Sequence, residues 1–225
     1  MLDFLYNAAP ECVLEDAIKD RFPGKIALVS SFGTESAILL RMVSEIDKSL
    51  PIVFLDTLKL FPETLSYRDE LVGRLGLTDV RNIRPSGKQL AAFDPDGTLW
   101  QKDADMCCII RKANPLDEAL EGMEAWITGR KRSQGGQRAN IQMVETGPDG
   151  RVNVNPLAFW TDEQIAAYFE KHNLPRHPLQ FEGYASIGCA TCTTRTLDAA
   201  DKRSGRWAGQ NKTECGIHLP RANAA

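Results

Sequence analysis

Five of the six cysteines in this 225-residue chain fall into three groups. Cys107 and Cys108 are adjacent, Cys189 and Cys192 form a Cys-x-x-Cys, and Cys215 stands alone between Glu214 and Gly216, followed by Ile217 and His218. Adjacent cysteines on a helix or tight turn diverge by only about 100°, so both thiols can approach one centre. A disulfide between neighbours is strained, because their Cα atoms lie closer than disulfide geometry prefers. Two pairs make a four-thiolate set, the usual ligation of a 4Fe-4S cluster and also of structural zinc. Cys215 then remains as a candidate nucleophile. Glu214 opposes its ionisation, while nearby cations, a protonated His218 or Arg206 among them, favour the reactive thiolate. Cys12 is read as a small buried hydrophobe.

A second group of residues suits anion binding. Ser30, Ser31, Phe32, Gly33 and Thr34 follow a short apolar run and precede a helical pattern, so backbone N–H groups and hydroxyls face the end of a strand. The Gly-Lys-Ser/Thr ending of a Walker loop is missing. Arg130, Lys131, Arg132 and Arg138 lie in a glycine-containing loop after another apolar run, where forked guanidinium donors can wrap an oxyanion.

The elements that must position these groups alternate. Apolar runs of strand length occupy 25–30, 52–56, 80–83 and 125–128. Helical periodicity covers 11–19, 35–47, 62–75, a segment around Cys107 and 116–120. This order predicts an α/β fold, a mostly parallel sheet with helices on both faces. Short strands are expected at 141–144 and 152–154, and Thr161 with Gln164 forms a capping box opening a helix to about residue 172. We expect a single domain. Residues 1–174 form its nucleotide-binding core, and residues 175–225 an irregular segment carrying the second cysteine pair and a catalytic tail.

Net charge is -3 and the pI near 5.7, which argues against a nucleic-acid or membrane-surface protein. The absence of a long apolar run and of a secretory start predicts a cytoplasmic protein. In that reducing compartment, paired cysteines are metal ligands or redox groups rather than disulfides.

Taken together, Ser-Phe-Gly at 31–33, Leu-Asp-Thr at 55–57, Phe-Pro-Glu-Thr at 61–64, Cys-Cys-Ile-Ile-Arg-Lys at 107–112, Cys-Ala-Thr-Cys-Thr at 189–193 and Glu-Cys-Gly-Ile-His at 214–218 resemble the assimilatory adenylylsulfate (APS) reductases. These are the iron-sulfur branch of the phosphoadenylylsulfate reductase family. The resemblance implies an adenine-nucleotide alpha-hydrolase-like fold of the PP-loop type. It also implies that Cys107, Cys108, Cys189 and Cys192 ligate one 4Fe-4S cluster, with Lys112 linking it to substrate. Cys215 is implied to attack the sulfuryl sulfur, giving AMP and an S-sulfonate from which thioredoxin or a similar dithiol frees sulfite. Arg132, Arg203 and Arg206 are implied contacts to the substrate's anionic groups, and Ser30, Ser31, Phe32 and Gly33 line the nucleotide pocket. A homo-oligomer is compatible with this reading. Residues 58–61, Leu-Lys-Leu-Phe, depart from the usual family sequence and put the contact near Lys59 in question.

Three other readings are open to the sequence. One is reduction of 3'-phosphoadenylylsulfate (PAPS). Another is an ATP-using enzyme that modifies tRNA, which predicts a fuller Ser-Gly-Gly loop. The third is a zinc-stabilised, non-catalytic binding module.

Overall fold

A computed structural model describes residues 8–198, 200–210 and 212–218. Six strands form one sheet in the order β3-β2-β1-β4-β6-β5. They are β1 (Ile26–Val29), β2 (Ile52–Leu55), β3 (Val80–Ile83), β4 (Ala125–Ile127), β5 (Val144–Thr146) and β6 (Val152–Val154). All neighbouring pairs are parallel except β5 with β6, so the expected α/β architecture is present.

The central strands β1, β2 and β4 are short and apolar because both faces are covered. On one face lie α1 (Pro10–Glu15, continued as a wider π turn at Asp16–Arg21), α2 (Ser36–Ile46), α3 (Pro62–Leu75) and α8 (Asp162–Lys171). They bury Leu14, Ile38, Leu40 and Leu71 against Leu28 and Ile52. On the other face, Ala27, Val53 and Trp126 pack under Leu116 and Leu120.

Between β3 and β4 the chain forms α4 (Gly87–Phe93), α5 (Leu99–Lys102), α6 (Ala104–Cys108), a π turn (Ile109–Ala113) and α7 (Asn114–Ala119). Asp103 caps α6 by accepting from the N–H groups of Asp105 and Met106, which places the adjacent cysteines at the helix's C-terminal end. The capping box on α8 forms as its residues predict: Thr161 Oγ1 accepts from Gln164 N–H, and Gln164 Oε1 from Thr161 N–H.

Two local expectations are corrected. Cys12 is exposed rather than a core residue, because Val13, Leu14, Ala17 and Ile18 already fill the buried stripe. The strand expected at 141–144 begins only at Val144. Ile141 and Met143 are buried in a turn instead. The Ile141 carbonyl accepts from Arg132 Nε, and the Gln142 N–H donates to Glu145, so these two groups are not available to a strand ladder.

The strand order reverses direction between β1 and β4. In open α/β sheets such a switch point leaves a crevice at the carboxyl ends of the strands. Both loops singled out in the sequence begin there.

Candidate active site

The crevice is a cavity of about 220 Å³ beyond the ends of β1 and β4. The β1 loop supplies Ser30, Ser31, Gly33 and Thr34, and the β4 loop supplies Thr128, Gly129, Arg130 and Arg138. The first loop is held by its own hydroxyls. Ser30 Oγ accepts from Phe32 N–H at 3.2 Å, and Ser36 Oγ accepts from Gly33 N–H at 2.9 Å.

Phe32 is the exception among the expected lining residues. Its φ of +47° turns the side chain inward, where it is fully buried and meets Phe54 edge to face at 5.3 Å. A bulky residue in the left-handed region is uncommon and strained. Here an aromatic contact in the core holds it, while the Phe32 and Gly33 N–H groups stay bonded to hydroxyls within the loop.

The sulfur-bearing elements close the crevice from the opposite side. The 3₁₀ turn Ala190–Cys192 follows Cys189, whose backbone bridges to Leu60 just after β2. Thr57, 1% exposed at the end of β2, lies with its Oγ1 at 3.2 Å from Cys189 Sγ. Its carbonyl accepts from Arg111 Nη1 at 2.9 Å, and Arg111 is also ion-paired with buried Asp94. This chain of contacts ties the turn after β2 to both cysteine pairs.

Cys107, Cys108 and Cys189 are buried, and Cys192 is half-buried. Among the described residues, no three His, Cys, Asp or Glu side chains converge as a preformed site for a single metal ion. The thiols nevertheless share one neighbourhood. Cys107 is pushed up to about 11 by burial and then by the charges of Cys108, Cys189 and Cys192. Burial also raises Cys189, but Lys112, the Thr57 hydroxyl and Arg206 outweigh it and draw that thiol below its ordinary value. Lys112 is held protonated in the same way: burial opposes its charge, and the sulfurs of Cys189, Cys108 and Cys215 overcome it. An all-thiol donor set with cations beside it fits a thiolate-ligated group, whose net negative charge those cations balance.

Cys215 lines the cavity with Lys112, Arg203 and Arg206. Its neighbour Glu214 makes a bidentate pair with Arg138, at 2.7 Å to Nε and 2.9 Å to Nη2, and lies 3.6 Å from Arg203. Burial opposes the carboxylate charge, but these two guanidinium groups hold Glu214 well below the usual range. The charge expected to oppose thiolate formation at Cys215 is therefore offset by Arg138.

His218 also departs from expectation. Its ring stacks on Trp126 at 5.0 Å and 13°, and burial together with Arg130 and Arg138 keeps it neutral. It contributes no positive charge to Cys215.

Arg206 donates to the Ile187 carbonyl at 3.1 Å and lies over the Trp207 ring. Gly188 leaves room beside it: a Cβ there would meet the guanidinium, so a larger residue would have to displace Arg206. Arg203, pushed down to about 10 by burial and by Arg138, donates to the Thr213 carbonyl at 3.1 Å.

Arg132, one of the cations named in advance, does not reach the cavity. Its Nε is spent on the Ile141 carbonyl, and its guanidinium lies 4.2 Å from the Phe159 ring centroid. Arg130 and Arg138 face inward in its place. Lys131 is structural: it is 1% exposed and bridges Glu35 and Asp162. Lys59 donates to the Gly97 carbonyl at 2.9 Å rather than facing the cavity. Nothing in the spacing of the sequence signalled the Glu214–Arg138 pair or the Trp126 stack, since both join residues far apart in the chain.

The fold and site thus define an α/β protein with an anion-receiving crevice beside a cluster of thiols. The family model for the phosphoadenosine phosphosulfate reductase domain matches residues 25–195, and the chain belongs to that family. It is 48% identical to the adenosine 5'-phosphosulfate reductase of Mesorhizobium japonicum, over 97% of this chain and 86% of the relative. It is 42% identical to the phosphoadenosine 5'-phosphosulfate reductase of Gloeobacter violaceus, over 94% and 89%. Among solved structures it resembles phosphoadenylyl-sulfate reductase from Candida auris in its phosphate complex, with a TM-score of 0.73 and 27% identity, covering 85% of this chain and 93% of that one.

Proposed function

We propose that the protein reduces adenylylsulfate to sulfite and AMP in assimilatory sulfate reduction. The observation that carries this reading is the meeting of Cys215 with Lys112, Arg203, Arg206 and the β1 loop around one cavity. The thiolate of Cys215 attacks the sulfuryl sulfur. A bond forms between Sγ and that sulfur, the bond from sulfur to the bridging phosphate oxygen breaks, and AMP departs with the electron pair. Cations around the cavity stabilise the charge that develops on the departing phosphate.

A dithiol of the thioredoxin class then attacks Cys215 Sγ. Sulfite leaves, a mixed disulfide forms, and the second thiol of the donor resolves it, returning Cys215 as a thiol and oxidising the donor. Two thiols thus supply the two electrons.

Cys107, Cys108, Cys189 and Cys192 are the residues to hold a 4Fe-4S cluster. When bound, such a group would supply negative charge and a covalent tie between these two pairs of cysteines. Lys112, in the π turn beside that pair, faces both the sulfurs and the cavity and is placed to bind an anionic substrate group. Ser30, Ser31 and Gly33 line the nucleotide end of the cavity, where the exposed Ser31 hydroxyl is placed to bind it.

Reduction of PAPS is the second reading, supported by the name of the Gloeobacter violaceus relative. A non-catalytic zinc module leaves Cys215 without a role, whereas its position in a cation-lined cavity supports an enzyme.

One experiment tests these together. Anaerobically purified protein is mixed with each nucleotide in the absence of thiol donor, and its intact mass is measured. Gain of one sulfonate, mapped to Cys215 and faster with adenylylsulfate, is the expected result. An adduct on another residue, or none with either nucleotide, overturns the proposal.

A further inference from the structure

Cys215 sits in a tail with little secondary structure of its own. Residues 212–218 form bends and turns, so the position of the thiol depends on what pins the chain on either side. After it, Gly216 turns at φ +82°, and His218 stacks on Trp126. Before it, Glu214 is 7% exposed, grips Arg138 with both carboxylate oxygens and accepts the N–H of Cys215 itself at 3.0 Å.

Charge in the cavity is sorted by the same contact. Arg130 is paired with Glu145 at 2.5 Å, and Arg138 and Arg203 share Glu214. Among the described residues, Lys112 and Arg206 make no carboxylate ion pair. Both face the cavity beside Cys215. On the sulfur side, then, two cations carry no carboxylate partner, while two others are committed to the tail.

We infer that Glu214 is a positioning residue for Cys215: its bidentate pair with Arg138, supported by Arg203, latches the tail so that the thiol faces the cavity. The inference rests on the proposed reading of Cys215 as the nucleophile, but the latch itself is measurable without any turnover. A bidentate guanidinium-carboxylate pair is directional as well as strong, so it fixes orientation in a way that a single point charge does not.

The test is alkylation of Cys215 by iodoacetamide in the cluster-loaded protein without nucleotide, followed by peptide mass spectrometry to isolate that thiol. Removing a neighbouring carboxylate also eases thiol ionisation. The rate is therefore taken on the alkaline plateau, where ionisation is complete and access alone is read. Glu214→Gln is expected to raise the plateau rate at least tenfold. Single-turnover formation of the S-sulfonate is expected to fall at least tenfold, with AMP affinity held within threefold.

Arg138→Gln, and the double variant, complete a cycle. If the pair acts as a unit, the double variant alkylates no faster than either single one. Plateau rates within twofold of wild type in both single variants overturn the inference. So does a loss of S-sulfonate formation that is matched by an equal loss of AMP affinity, because Glu214 would then belong to the nucleotide site. Wild-type protein that alkylates slowly at Cys215 yet forms no S-sulfonate overturns the proposed reaction and leaves the latch standing.

Discussion

Around β1, β2 and β4 the chain is held by burial: Ala27, Ile52, Val53 and Ile127 are fully enclosed, and helices cover them on both sides. Beyond Leu174 the same polypeptide runs through short 3₁₀ turns and isolated bridges. It is fastened instead by single polar contacts. Tyr67 Oη donates to the Pro175 carbonyl at 2.7 Å, His177 lies between Thr64 and Leu179, and Glu214 grips Arg138. Area burial is spread over many residues and tolerates local change. A fastening by one side chain concentrates its effect there, which suits a segment that must present a thiol to two partners in turn.

The comparison breaks most sharply at Cys215. Cys215→Ser is expected to abolish S-sulfonate formation while leaving the thermal melting of the protein within a degree or two, because the change swaps one atom at a half-buried position that belongs to neither hydrophobic core. Intact-mass measurement and a calorimetric scan check the two halves of that statement. A large loss of stability would show that the tail belongs energetically to the frame.

Next in size is Asp94. Its carboxylate is buried against Arg111, whose other contact is the Thr57 carbonyl, so this pair fastens the cysteine-bearing turn to β2. Asp94→Ala leaves a guanidinium buried without its partner, a change that costs ~3–5 kcal/mol. Urea unfolding reads that loss as a lower midpoint. An unchanged midpoint would mean that the cysteine-bearing turn is held by packing, as the frame is.

How much of this was legible in the sequence follows the same division. Apolar runs and helical periodicity located β1 to β4 and α3, whose range of Pro62–Leu75 matches the pattern residue for residue. Thr161 and Gln164 announced a helix start because capping is local chemistry. The cysteines and the β1 loop were legible because their types and spacing carry the chemistry themselves. Arg132 was not separable from Arg130 and Arg138, since in a loop of four cations only the fold decides which face inward. Phe32 was read as lining because its neighbours line, whereas its positive φ is set by Phe54 from the next strand. The small helices α4 and α5 lack buried residues and gave no periodic signal. The latch at Glu214 joins positions 76 residues apart, and no pattern within either segment points to the other.

His177 sharpens the comparison through pH. Its ring is fully buried; Nδ1 accepts the Leu179 N–H at 3.3 Å, so Nε2 carries the proton and faces Thr64 Oγ1 at 3.0 Å. Burial pushes its pKa down from 6.5 to about 4, with only Glu63 opposing. The unfolded chain therefore binds a proton between pH 6.5 and about 4 that the folded chain refuses, and stability falls as pH drops through that window. At ~1.36 kcal/mol per unit the loss is about 3 kcal/mol, complete once the folded ring also protonates. Urea midpoints compared across this range for wild type and His177→Gln check it: the variant is expected to lose that share of the slope. Identical slopes would place the acid sensitivity elsewhere.

The smallest expected effect belongs to the frame. Thr161→Ala removes the acceptor for the Gln164 N–H at the start of α8, and loss of such a cap costs about 1 kcal/mol. Because α8 also buries Ile165 and Phe169 in the main core, the helix survives the change. The loss should appear in the unfolding midpoint and leave both S-sulfonate formation and Cys215 alkylation at wild-type rates. If it altered the alkylation rate instead, the coupling would run through Asp162. That residue is one position inside the cap and pairs with both Lys131 under the β1 loop and Lys202 in the C-terminal segment. The two regions would then be linked by charge as well as by chain.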